Sequence, residues 1–231
     1  MAKKEIKTQS DSGFEGIEQV LTKSERFIEA NQKRLINIVL GIVIAVLLVI
    51  GVKKLYLSPL ADDAARDLFM AEKFFDKDSI NLALNGFGTY PGFLQIIEDY
   101  KFTRTAKLAR YYSGVSYLRL NDYENAVKYL KKFSTNDMLV GAAWCAAVGD
   151  AYSGLEDYSS ATRYYLRGVS KYENSFTSPI LLQKAGIVYE EVGDYKKALE
   201  TYKQISLDYP DSQEGRDVQK FITRAELMLS K

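Results

Sequence analysis

One pattern occurs three times in this 231-residue chain: Gly, Tyr three positions on, an Asp-Tyr pair, and Ala three positions after that second Tyr. It reads Gly114, Tyr117, Asp122-Tyr123, Ala126; then Gly149, Tyr152, Asp157-Tyr158, Ala161; then Gly186, Tyr189, Asp194-Tyr195, Ala198. Each member recurs after 35 and then 37 residues. A period of about 34 with small residues and Tyr at fixed offsets predicts stacked helical hairpins. No such hairpin buries its apolar face alone, so an all-α solenoid is expected, and with it the role of an interaction scaffold.

Each repeated residue has a physical reason. Gly in a helix interior costs about 1 kcal/mol relative to Ala. Three such residues at one register (Gly114, Gly149, Gly186) predict paired helices packed too closely for a side chain. Ala126, Ala161 and Ala198 supply the small contact on the second helix. Tyr117, Tyr152 and Tyr189 are expected to fill the space between repeats. Asp122, Asp157 and Asp194 fall at the turn and can cap the second helix. Asn121 and Gly193 suit the left-handed residue that ends a helix. Glu156 suits it poorly, which predicts that the corresponding helix ends earlier, at Gly154. Pro210 stops the third pair.

These residues resemble the tetratricopeptide repeat. Its small residue, Tyr, Gly-Asp-Tyr turn, Ala, aromatic and final Pro are matched best by Gly186, Tyr189, Gly193-Asp194-Tyr195, Ala198, Tyr202 and Pro210. The second unit keeps the aromatic as Tyr165, and the first has Leu130 there. The resemblance covers residues 106–210. Residues 60–105 read as a degenerate unit, with Leu68, Phe69, Ala71, Phe74 and Phe75 on one helix, 93–100 on another, and Gly86–Gly92 as a loop. Residues 211–231 read as a C-terminal capping helix with Val218, Phe221, Ile222, Ala225, Met228 and Leu229 inward.

The resemblance implies that partners bind along the inner face of the first helices. Carried over by repeat position, that face holds Leu108, Tyr111, Val115, Leu118 and Arg119 in the first unit. It holds Ala143, Ala146, Asp150, Ser153 and Gly154 in the second, and Ile180, Gln183, Ile187, Glu190 and Glu191 in the third. Versions of the repeat that clamp a C-terminal carboxylate need Lys and Asn where this chain has Tyr111 and Val115. A mixed apolar groove for helices or extended segments is therefore expected.

A second feature divides the chain. Leu35–Val52 is apolar except for Asn37. Helical residues over that length rise about 27 Å, near the thickness of a bilayer's hydrocarbon core. Lys33-Arg34 and Lys53-Lys54 bracket it, as a buried core helix would not be bracketed. Leu55, Tyr56 and Leu57 extend it, giving an expected bilayer-spanning anchor over 35–57. The 34 polar-rich residues before it argue against a cleavable signal. Near the span the N-side carries Lys23, Arg26, Lys33 and Arg34, against Lys53, Lys54 and Arg66 on the C-side. This four-to-three margin leans towards a cytoplasmic N-terminus, with the long C-terminal part across the membrane. Residues 1–34 form the expected cytoplasmic tail, polar and unstructured over 1–12. From Phe14 an apolar stripe (Ile17, Val20, Leu21, Phe27, Ile28) predicts an amphipathic helix. It suits either the membrane surface or a partner's cytoplasmic face.

Several chemistries lack their residues. The chain has no His, which removes the commonest general base and zinc ligand. Its single Cys, Cys145, sits in an Ala-rich run and reads as a small buried hydrophobe. Formal net charge is +1, too balanced for a nucleic-acid footprint. Adjacent Glu190 and Glu191 point in different directions on a helix. No phosphate loop, metal-ligand cluster or nucleophile–base pair is found. The expectation is a non-enzyme with no cofactor, no metal, no nucleic acid and no small-molecule substrate.

Anchor, short tail and repeat domain together resemble the YfgM-like ancillary subunit family of the bacterial SecYEG translocon. The layout, through Leu84–Tyr112, also resembles tetratricopeptide-repeat proteins of Bacteroidetes. The resemblance implies an inner (cytoplasmic) membrane, a periplasmic C-terminal domain and protein partners: the SecYEG translocon and a periplasmic chaperone, handling emerging chains. Two alternatives stay open, a structural assembly factor of an envelope or secretion complex and a cytoplasm-facing receptor for a soluble partner.

Overall fold

A computed structural model describes residues 11–230, with side chains from residue 30 onward. The expectation for residues 1–10, and the side chains of the N-terminal apolar stripe, lie outside the described residues. The chain divides into two compact units between Ser58 and Pro59.

The first unit holds α1 (Asp11–Val52), followed by a π-helical turn, Lys53–Leu57. Among the described residues one N-terminal helix is long and apolar enough to cross a membrane. Its side chains from Ile36 to Val52 are exposed on every face. Leu, Ile and Val all round a helix leave no polar face to meet water, which is the composition of a helix able to cross a bilayer.

The second unit holds the repeats. Its helices are α2 (Ser58–Asp76), α3 (Ile80–Asn85) and α4 (Phe93–Asp99), then three antiparallel pairs. These are α5 (Arg104–Arg119) with α6 (Tyr123–Leu130), α7 (Met138–Gly154) with α8 (Tyr158–Lys171), and α9 (Ser178–Glu191) with α10 (Tyr195–Asp208). Short helices α11 (Gln213–Asp217) and α12 (Gln219–Leu229) follow.

All three pairs turn the same way. Asn121, Glu156 and Gly193 have φ of 58°, 59° and 75°. Each next residue donates its N–H back to the Tyr five before it: Asp122 to Tyr117 (2.9 Å), Asp157 to Tyr152 (2.9 Å), Asp194 to Tyr189 (2.8 Å). This is the Schellman ending, which satisfies carbonyls that the helix leaves open. The carboxylates of Asp122, Asp157 and Asp194 then accept from the backbone N–H three residues on, at 3.0–3.1 Å. One Asp thus closes one helix through its backbone and opens the next through its side chain. The helix does end at Gly154, but no earlier in register than α5 at Arg119 or α9 at Glu191, each two residues before the left-handed one. Glu156 takes the left-handed conformation despite its side chain, because the flanking hydrogen bonds outweigh a strain of about 1–2 kcal/mol.

The degenerate unit is a fourth copy with an interruption. Asp78 has φ 56°, and Ser79 donates to the Phe74 carbonyl at 2.9 Å, the same ending again. Counted from Asp78, Ala71 stands where the other units have Gly, Phe74 where they have Tyr, and Ala83 where they have Ala; Ala71 and Ala83 are fully buried. The second helix is split into α3 and α4 by residues 86–92. The expected loop is a two-stranded hairpin, β1 (Gly86–Phe87) and β2 (Tyr90–Pro91), with Gly86 paired to Pro91.

Three apolar clusters run along the array. One joins α2, α3 and α4 to α5 through Leu68, Phe75, Leu84, Phe93 and Ile96. The largest joins the first and second pairs and reaches α9 through Leu130, Trp144, Cys145, Tyr165 and Leu181. The last seals the array with Tyr202, Ile205, Val218, Ile222 and Ala225. The expected single cap is two helices, with Ser212 capping α11, and Leu229 faces outward. Burial pushes the Cys145 thiol up to about 11, which keeps it protonated in the core.

Candidate partner-binding groove

The glycine register is set by the partner helix. A side chain on Gly149 would overlap the ring of Tyr165, and one on Gly186 the ring of Tyr202. At Gly114 the obstacle is Leu130. Each glycine is the slot for the residue four after the repeat Ala. Tyr117 stacks on Tyr129 at 5.4 Å and Tyr152 on Tyr164 at 5.6 Å, within their own pairs. In the first pair α6 stops early, and the Trp144 indole N–H donates to the Leu130 carbonyl at 2.8 Å.

Packed this way, the first helices leave a cleft of about 510 Å³ on the array. It is lined by Leu118 of α5, Asn121 and Tyr123 at the first turn, and Asp150, Ser153 and Gly154 of α7. Tyr165 of α8 and Lys184, Ile187 and Val188 of α9 complete it. Gly154 lies against the Tyr123 ring, 2.5 Å from where a Cβ would stand, so its small size serves helix approach.

The polar centre of the cleft is Asp150. Its Oδ1 accepts from the Tyr165 hydroxyl at 2.7 Å and from Lys184 Nζ at 2.8 Å. Burial, then the Asp150 charge, holds the Tyr165 hydroxyl well above the usual phenol range. A second acid–base link stands one pair further on. Arg224 Nε donates to Glu190 Oε1 at 3.1 Å, 34 residues apart like Asp150 and Lys184. The buried Tyr202 hydroxyl lies beside it, pushed up by burial and by the Glu190 charge.

Of the residues expected on the inner face, the cleft gathers Leu118, Asp150, Ser153, Gly154 and Ile187. Leu108, Tyr111 and Val115 are half-buried and pack into the apolar clusters. Tyr111 lies 5.2 Å from the Phe133 ring. Arg119 turns towards the preceding unit, 4.1 Å over the Phe75 ring and 3.5 Å from Asp78. Gln183 is half-buried away from the cleft lining, and Glu190 is engaged by Arg224. Position counting along the first helices missed Asn121, Tyr123, Tyr165, Lys184 and Val188. Three of these lie on turns or second helices. Lys184 stands on a first helix, one turn before Ile187, and the repeat register assigns it no place on the inner face. Among the described residues no group of three or more acidic, Cys or His side chains gathers as metal ligands would.

The tetratricopeptide-repeat family model matches residues 108–137 and 181–212. The fold is a tetratricopeptide-repeat solenoid. Two solved structures share it. One is titled "Crystal structure of MamA protein", at 16% identity and TM-score 0.53, covering 72% of this chain and 88% of that one. Another, "Crystal structure of MamA", has 18% identity and TM-score 0.50, covering 69% and 94%. No curated protein matches the sequence. The family model spans the first and third pairs and passes over the second, where Glu156 stands at the turn position. Tetratricopeptide repeats are protein-interaction modules and typically non-enzymatic.

Proposed function

We propose that this chain is a non-enzymatic adaptor, tethered to the inner membrane by α1, whose repeats bind protein partners through the Leu118–Asp150–Ile187 cleft. The observation that carries this reading is the cleft itself. Three successive pairs contribute to it, it mixes apolar walls with one anchored carboxylate, and its polar centre is already hydrogen-bonded. Such a surface can take an extended segment or a helix without first reorganising. Tethering raises the local concentration of partners in the same membrane, so a weak contact suffices.

The charge margin around the span supports a cytoplasmic N-terminus and periplasmic repeats. On that topology the fitting partners are the SecYEG translocon and a periplasmic chaperone, with emerging chains as clients. Pull-down of the full chain from mild detergent, read by mass spectrometry, is expected to recover translocon subunits. Their complete absence from the eluate overturns this assignment.

A second reading rests on the links Asp150–Lys184 and Glu190–Arg224. The first ties α7 to α9 across the cleft and the second ties α9 to α12, an arrangement that suits one permanent partner of an envelope assembly as well as many clients. Crosslinking from positions 118, 153 and 187 separates the two: a spread of nascent chains supports the first, one constant product the second.

A further inference from the structure

The two long edges of the solenoid differ in chemistry. Antiparallel pairing puts the tight turns at Asn121, Glu156 and Gly193 on one edge, and the connections between pairs on the other. Contacts bear this out. Lys107, near the start of α5, lies 5.9 Å over the Phe133 ring, and the Tyr172 hydroxyl donates to the Thr135 carbonyl at 2.8 Å. The connections before α5, α7 and α9 therefore lie side by side.

Each of those connections presents large apolar side chains to solvent. Phe102 is 86% exposed and Phe176 is 73% exposed, with Met138 and Leu139 between them in chain order. Phe102 and Phe176 bury little of their surface in the fold, so folding gains little from them. Cations flank them: Lys101 and Arg104 beside Phe102, Lys131 and Lys132 before Met138, Lys171 before Phe176. No ion pair engages these five among the described residues. Asp137, the nearest acid to the middle group, accepts from the Val140 N–H as the cap of α7. Asp99 and Glu173 offset part of the charge. The opposite edge carries Asp122, Glu124, Glu156, Asp157, Glu191 and Asp194 beside Lys196, and its Arg119 and Lys197 are paired with acids. Its apolar residues, Leu120, Leu155 and Val192, are 41%, 39% and 51% exposed.

We propose that the Phe102–Leu139–Phe176 edge docks on an anionic phospholipid surface, aromatic rings at the headgroup level and lysines against phosphate. Exposed aromatic and aliphatic side chains among Lys and Arg are what a membrane interface takes up. An acidic protein would match the charge and leave two nearly bare Phe rings without purpose. The lipid also explains why only this edge combines both features. The same chain carries a helix apolar and long enough to cross a bilayer, so lipid is a partner its own sequence provides for, and lysines are drawn to anionic lipid. The inference goes beyond partner binding in the cleft and does not depend on who the partner is.

The test places an environment-sensitive nitrobenzoxadiazole label at Phe176→Cys in the full chain with Cys145→Ala. The protein is held in nanodiscs of phosphatidylcholine, or of phosphatidylcholine with phosphatidylglycerol. Expected is a blue-shifted emission, quenched by brominated lipid, in the phosphatidylglycerol discs only, and lost in high salt or in K131E/K132E/K171E. A label at Leu155→Cys is expected to stay solvent-like in both. Equal emission at position 176 in both discs overturns the proposal, as does an equal shift at 155. A shift at 176 that appears only on adding an acidic protein overturns it too. Unchanged helical circular dichroism excludes misfolding as the cause of a lost signal.

Discussion

The interrupted unit, α2 to α4, and the regular pairs from α5 to α10 end their first helices with one and the same turn, yet build different second helices. At Asp78, Asn121, Glu156 and Gly193 the backbone is left-handed, and the hydrogen bonds repeat. Only Gly193 and Asn121 are residues expected there. The turn is thus imposed by the packing of the pair and tolerates Asp, Asn and Glu at some strain. The small position of the first helix behaves otherwise. It is Gly where a Tyr or Leu ring or branch must enter, and Ala71 where the second helix is broken and no such residue arrives. Turn geometry is shared, then, while side-chain interlock is confined to the uninterrupted pairs.

The largest expected effects strike that interlock. Tyr202→Ala empties the slot above Gly186 and should cost about 4 kcal/mol in denaturant unfolding of the detergent-solubilised chain. If it costs no more than an exposed Tyr such as Tyr90, the interlock is not what holds the pairs. Gly149→Val drives a side chain into the Tyr165 ring and is expected to cost about 3 kcal/mol. Ala71→Gly, at the same register of the interrupted unit, should cost only about 1 kcal/mol, a helix-propensity effect. Equal losses at the two sites would erase the distinction.

Within the interruption, Gly92→Ala should lower stability by about 2 kcal/mol. Its Cβ would meet the backbone carbonyl of Leu84, which cannot swing aside as a side chain can. Gly88→Ala faces open space and carries only the left-handed penalty of about 1 kcal/mol. For the shared turn, Glu156→Gly is expected to raise stability by about 1 kcal/mol and Gly193→Ala to lower it by a similar amount. Melting temperatures moving in opposite directions confirm the account, and a loss at Glu156→Gly contradicts it.

The smallest effect is on pH. Hydrogen bonds from the Ser160 backbone N–H and hydroxyl hold Asp157 below the usual carboxylate range, and bonds from Lys197 do the same for Asp194. A depressed folded-state pKa means the cap contribution is complete above the ordinary carboxylate range. It is lost as pH falls through the lowered value. Asp157→Asn and Asp194→Asn should therefore flatten the acid limb of stability while leaving neutral pH nearly unchanged.

Much of the array was legible because repetition exposes register. Gly114, Gly149 and Gly186 announced close packing before any partner was known, and Asp122, Asp157 and Asp194 announced their caps. What stayed hidden has a physical cause in each case. Asp78 lies 43 residues before Asn121, since the hairpin over 86–92 stretches the period, so the fourth turn did not register as one. Glu156 was misjudged because intrinsic preference is a weaker constraint than two backbone hydrogen bonds. In the groove, counting along first helices found Asp150 and Ile187. It could not find Tyr123 or Tyr165, which reach the same space from second helices. Nor could it show that Arg119 and Glu190 are held by Asp78 and Arg224.

Site-specific photocrosslinking in intact membranes tests the central assignment, that partners occupy the cleft formed by α5, α7 and α9. The probe is placed at Ser153 or Ile187 within it, and at Arg163 on the exposed face of α8 as control. Protein adducts from 153 and 187, with none from 163, are the expected result. Adducts from 163 alone would move the binding face to the outside of the solenoid and contradict it.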